Sequence, residues 1–199
     1  MTLRGRLLVA SPHLLDPNFH RTVVLVLDHT DDGAFGVVLN RPLQVEVDAV
    51  LPGWQDVVSR PDGLFQGGPV GLDGAIGLAI AAEPVAGLST GAADGDGLRA
   101  EPDDHLVDRF TGVFGLVDLD ADPTSVVGRV TGLRIFAGHS GWGARQLEEE
   151  IEEGAWFVVP SEPGDVCTPD PDTLWSRVLR RQGGDLALLA HYPPDLLLN

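Results

Sequence analysis

The 199-residue chain carries thirty acidic side chains against thirteen basic ones, every base being Arg, for a formal net charge of −17. Nucleic-acid affinity comes largely from cation–phosphate contacts, so this balance opposes direct binding to DNA or RNA. Hydrophobic residues make up 43% of the chain, enough for a sizeable core, yet no stretch approaches the roughly 20 apolar residues of a membrane span.

Arg6-Leu7-Leu8-Val9-Ala10 is a short apolar run, too short for a signal-peptide core, and it predicts a first strand in a cytoplasmic protein. Ser11 to His20 follows as an irregular loop marked by Pro12, Pro17 and Asn18. Thr22 to Leu27 is rich in β-branched residues and apolar on both faces, as a central strand should be. A turn at His29–Gly33 and a returning strand at Ala34–Asn40 complete a hairpin, which Pro42 closes. Short helices are expected near 47–51 and 54–58. Gly67-Gly68-Pro69 reads as a tight turn opening a new element, with a strand at 77–81. Residues 83–105, rich in Gly, Ala and Asp, predict a flexible loop or rim.

Further strands are expected at 112–119 and 130–137. A helix over 143–153 places Ala144, Leu147 and Ile151 on one face and most of its five glutamates on the others, with Gly154 as its stop. Its acids lie toward the wrong end for the helix dipole, so tertiary packing must hold it. Trp156–Val159 is the next strand. The last helix starts with Asp170 as cap and Pro171 in its first turn, and buries Leu174, Val178 and Trp175. Arg177, Arg180 and Arg181 fall near its C-terminal end, where cations are favoured, and this explains them better than an anion site does. Strands dominate early, helices come late and β-α alternation is absent. One α+β domain spanning 1–199 is predicted, a mixed and largely antiparallel sheet flanked by a few helices.

Several blocks carry a family likeness. They are Gly5–Pro12, Asp16–Phe19 with Arg21–Val24, Gly33–Pro42, Gly67–Val70, and Gly141–Gly143 leading through Gln146–Glu148 to Gly154-Ala155-Trp156. In this order they resemble the YqgE/AlgH family of bacterial proteins; segment 83–125 carries little of the likeness. The resemblance implies a compact α+β domain of the bacterial cytosol without a secure activity. Part of the family's name reflects a proposed role in regulating alginate gene expression, and since the charge opposes contact with DNA, only indirect control of transcription is expected here. Relatives commonly carry an aromatic residue before the Gly-Trp motif, where this chain has Gly138-His139-Ser140-Gly141-Trp142.

A nucleophile elbow needs Gly-x-Ser-x-Gly on a strand-to-helix turn. Gly138 and Ser140 fit, but Trp142 occupies the last position, and His139 points away from its neighbour Ser140 on an extended chain. The favoured account of 138–143 is a structural strand-to-helix turn in which Ser140 helps cap the helix, with anion capture at the helix start as the functional rival. Gly67-Gly68-Pro69 lacks the spacing of a phosphate loop. Asn40-Arg41 is either a binding pair or a strand terminus whose Arg pairs with one of many acids, the latter being favoured. No histidine pair has helical ligand spacing, and Asp94-Gly95-Asp96-Gly97 lacks the rest of a calcium loop. Cys167 is the only cysteine and reads as a bland thiol.

These residues predict a non-enzymatic binding or regulatory domain acting through a protein or small-molecule partner, with neither cofactor nor metal. The rival is an enzyme, hydrolase-like or anion- or nucleotide-binding, whose cleft gathers Asn40, Arg41, Gly68, Ser140 and Trp142; Gly67, Gly141 and Gln146 join them as positions that could touch a ligand. These eight are the candidate ligand-binding residues.

Overall fold

The computed structural model describes residues 2–82 and 106–193; the loop expected at 83–105 lies outside the described residues. The first strands are β1 (Arg6–Ala10), β2 (Val23–Thr30), β3 (Gly33–Val38), β4 (Pro42–Glu46) and β5 (Gly63–Gln66). Then come β6 (Val70–Ala81), β7 (Val107–Thr111), β8 (Phe114–Val117), β9 (Val130–Gly143) and β10 (Trp156–Pro160). Four α-helices follow among the described residues: α1 (Gln146–Glu152), α2 (Pro163–Val166), α3 (Leu174–Gln182) and α4 (Gly184–Leu189). The fold is α+β.

The strands join in the order β10-β1-β2-β3-β9-β6-β8-β7, with β4 and β5 attached off this path. Every recorded pairing is antiparallel except β5 with β9, where Phe65 faces Phe136. The predicted hairpin is β2–β3, with Thr30 opposite Gly33. The sheet curls far enough that a Cβ on Gly5, just before β1, would strike the side chain of Thr111 at the end of β7. Arg4 stacks over the Phe110 ring, 5.5 Å from its centroid, on the same seam.

Both faces of the early strands are covered, which explains why their sequence lacks alternation. On one face Leu7, Val9, Val23 and Leu25 pack with Trp175, Val178 and Leu179 of α3. On the other, Leu8, Val24, Val26 and Val38 pack with Trp142, Leu147 and Trp156. A third cluster, around Trp54, Leu64, Val126 and Ile135, lies under the 47–58 turns.

β9 organises the sheet. Its last residues, 140–143, pair with β3, while residues 130–139 pair with β6 on one side and, at 136–137, with β5 on the other. The change of partner falls at Gly138, whose φ of 67° is a left-handed conformation that favours glycine. A Cβ there would come within 2.8 Å of the Val70 carbonyl oxygen.

Several expectations need correction. Residues 138–143 are not a strand-to-helix turn but the end of β9, because Ser140 and Trp142 alternate inward with exposed Gly141 and Gly143. The helix after it begins at Gln146, entered through Arg145 at φ 64°, and Ala144 is exposed. Ser140 therefore caps nothing. Pro42 opens β4 instead of closing β3. The expected strand at 112–119 is the turn and second arm of the β7–β8 hairpin. Near residue 50 only a 3-10 turn forms, at Val47–Ala49, and 54–58 is turn. The last predicted helix starts at Leu174, not Asp170, and Gly183 ends it at φ 72° as expected.

Candidate functional site

The candidate residues belong to three neighbouring constructions. The first is the junction where β3, β5 and β9 meet. Gly67 donates its N–H to the Ala137 carbonyl at 2.8 Å, and its own carbonyl accepts from the Val38 N–H at 2.8 Å and from Ser140 Oγ at 3.1 Å. Ser140 is fully buried. Its hydroxyl is spent on the scaffold, which leaves it neither a free nucleophile nor a cap. Gly68, at φ 155°, lies so close to the chain that a Cβ would overlap the His139 carbonyl. The glycine pair serves this close approach of two backbones.

The second construction clamps residues 20–23. Asn40 Oδ1 accepts from the Val23 N–H at 2.9 Å, and its Nδ2 donates to the Arg21 carbonyl at 3.0 Å. Arg41 donates to the His20 carbonyl at 2.7 Å, a backbone acceptor in place of the expected carboxylate. Arg21 itself holds φ 55°, with its guanidinium 3.9 Å above the Trp175 ring and bonded to the Tyr192 carbonyl. Burial lowers the pKa of that guanidinium.

The third is an acid-centred knot. Glu150 Oε2 accepts the indole N–H of Trp142 at 2.9 Å and that of Trp156 at 2.8 Å, while Oε1 accepts from Gln146 at 2.9 Å. Gln146 Oε1 in turn accepts from the Gly143 N–H at 3.0 Å. Phe19 stacks on Trp142 with centroids 6.1 Å apart. Gly141, opposite Phe35 in the β3–β9 ladder, is exposed.

The candidates are thus brought together in part. Gly67, Gly68 and Ser140 share one junction, Trp142 and Gln146 share one carboxylate, and Asn40 and Arg41 face another loop. His139, standing where an aromatic residue was expected, places its ring 4.7 Å from that of Phe35.

The sequence hid several partnerships. Arg134, read as an ordinary strand position, is almost wholly buried; it donates to the carbonyls of Val166, Arg60 and Thr168 and lies 4.1 Å over Phe65. Burial lowers its pKa, partly offset by the nearby Cys167. For Cys167 burial raises the thiol, against a bond from Ser59 and the charge of Arg134. Arg181 grips the buried Asp165 with two hydrogen bonds, 2.6 and 2.7 Å, so it has a specific carboxylate in addition to its place at a helix end. Burial acts to lower the Arg181 pKa, but Asp165 and Glu162 outweigh it and raise the value. Among the described residues no group of three His, Cys, Asp or Glu side chains could hold a metal ion, and no helix is long and apolar enough to cross a membrane.

Open concavities lie elsewhere. Two clefts, of about 520 and 270 Å³, adjoin along β6, where both are lined by Asp73, Ala75 and Ile76. The smaller reaches Gly138 and His139. A third, of about 490 Å³, lies over β4 and β5 beside Gln55.

A family model described as AlgH-like matches residues 7–187. A UPF0301 protein of Streptomyces coelicolor is 52% identical over 198 residues, spanning 100% of this chain and 96% of the relative. One from Mycobacterium marinum is 44% identical over 197 residues, with 98% and 90% covered. Among solved structures, a Corynebacterium diphtheriae protein superposes with a TM-score of 0.81 at 34% identity, covering 95% of this chain and 92% of that one. The solution structure of the AlgH protein from Pseudomonas aeruginosa superposes at 0.62 with 28% identity, covering 97% and 95%.

Proposed function

The chain belongs to the AlgH-like family, and from that premise we propose that it is a cytoplasmic, non-enzymatic binding domain that acts through a partner protein. Any effect on transcription is then exerted through that partner. One observation carries this view: the polar side chains of the family-like blocks are engaged in holding strands and loops together. Ser140 is bonded to Gly67, Asn40 to the backbone of Arg21 and Val23, and Trp142 and Gln146 to Glu150. A catalytic serine needs a free hydroxyl with a base in reach, and this one has a carbonyl.

Direct nucleic-acid binding is disfavoured by the net charge of −17, and four of the thirteen arginines are also engaged within the fold. Arg134 is buried, Arg181 is paired with carboxylates, and Arg21 and Arg4 lie over aromatic rings. Capture from native lysate on the immobilised protein, beside thermal shifts with a metabolite library, tests the proposal. A reproducible protein partner is the expected result. A metabolite that stabilises the fold strongly and is turned over would replace it with the enzyme alternative.

A further inference from the structure

Resting on that partner-binding view, we infer that the double cleft along β6 docks a basic, amphipathic segment of another protein. Its apolar part is Val50, Leu51, Ile76, Leu116 and Leu119, with Val50 56% exposed. Leu72, 57% exposed, stands in the same stretch of β6 that the two clefts border. Surface side chains of this size in one neighbourhood, around a concavity of several hundred cubic ångströms, mark an interaction surface.

Charge selects the occupant. Asp73 lines both clefts, and Asp118 and Asp120 line the larger one; no Arg lines either. All three aspartates are exposed. A cationic segment would meet complementary potential there, and an anionic one would be repelled. This chain's own segment 83–105 holds six acids and one Arg, and a second copy brings another net charge of −17, so neither suits the rim. The fitting partner alternates apolar anchors with Lys or Arg.

The test uses fluorescence anisotropy on the full chain, with a labelled twelve-residue peptide of alternating Lys and Leu as probe. Its counterparts carry Glu for Lys or Ser for Leu. The expected outcome is salt-sensitive binding of the Lys–Leu peptide alone, weakened about tenfold or more by Ala75→Trp, which puts an indole at a position that lines both clefts, and by the triple change Asp73→Asn, Asp118→Asn, Asp120→Asn. A charge-matched control, Glu152→Gln, Glu153→Gln, Asp172→Asn, removes three exposed acids elsewhere and should leave affinity within about twofold. Equal losses in the two triple variants would reveal attraction to net charge only and overturn the inference. So would absence of binding to the Lys–Leu peptide, or equal binding of its Ser-for-Leu counterpart. A lysate partner held as tightly by Ala75→Trp as by the parent would overturn the cleft while leaving the binding-domain view intact. Cleft binding of the probe with no lysate partner would do the reverse.

Discussion

Trp142 on β9 and Trp156 on β10 direct their indole N–H groups at the same oxygen, Glu150 Oε2, with their rings 6.0 Å apart and nearly perpendicular. The strands that carry them are not neighbours in the sheet, since β1, β2 and β3 lie between. One carboxylate on α1 therefore ties the sheet's middle to its edge and anchors this short helix, whose first turn carries Glu148 and Glu149.

Glu150→Ala should leave two largely buried indole donors without a partner and cost about 2–4 kcal/mol. Glu150→Gln keeps an acceptor and should cost less. Urea unfolding followed by tryptophan fluorescence measures both; a change below about 0.5 kcal/mol in the Ala variant would show that the knot is incidental.

Gly68→Ala forces a Cβ into the backbone of His139 at the β9 junction. The rigid obstacle cannot yield, so destabilisation above about 3 kcal/mol or failure to fold is expected. Gly164 meets nothing within 4 Å, and Gly164→Ala should be neutral or stabilise by about 0.4–1 kcal/mol. Thermal melts of the pair make the comparison.

Removing Arg181 strands the Asp165 carboxylate, which is 1% exposed. Arg181→Ala should cost about 3 kcal/mol, and Asp165→Asn in the same chain should recover part of it. A double-mutant cycle by urea unfolding supplies the coupling; additivity would deny the pair any special role.

The pH response has a definite sign at Glu148. Its own backbone N–H, then His29, hold its carboxyl below the usual carboxylate range. His29 Nδ1 accepts from the Leu3 N–H, so Nε2 carries the proton given to Glu148 at 2.8 Å. A depressed carboxylate adds stability above the ordinary range and loses it as the pH falls through the depressed value. The gap between the parent and Glu148→Ala should be widest near neutrality and vanish in acid. Glu148 is 43% exposed on its side chain, so the gap will be small. Urea midpoints across pH measure it.

Cys167 is expected to resist alkylation in the folded protein, because burial raises its thiol and the thiolate is the reactive form. Iodoacetamide labelling followed by mass spectrometry should run about tenfold or more faster in denaturant. Equal rates would mean an accessible, activated thiol.

The β2–β3 hairpin and the buried stripe of α3 were legible because the β-branched apolar run Val23–Leu27 and the helical spacing of Leu174 and Val178 are local signals. The end of β9 was not. Three glycines among six residues look like a turn, and only contacts with Gly68 and Val70, far back in sequence, show that Gly138 permits close packing, while Gly141 and Gly143 stand exposed. The inward alternation of Ser140 and Trp142 was the available signal. Arg134 and the acceptors of Arg41 were illegible, since backbone carbonyls leave no trace in a side-chain pattern. α4 (Gly184–Leu189), with no fully buried residue, gave no periodic cue. The β6 clefts were missed because Asp73 is unremarkable until the strand brings it beside Val50 and Leu119.

The placement of β9 has a consequence during synthesis. β1, β2 and β3 are complete by Val38, yet the strands that flank them begin at Val130 and Trp156. At roughly 5–20 residues per second a ribosome needs about 5–20 s to make the intervening chain. Through that interval a three-stranded, two-faced apolar ribbon waits with both edges open. Such edges invite pairing with other chains, so the nascent protein should depend on holding factors until its hundred-and-sixtieth residue has emerged.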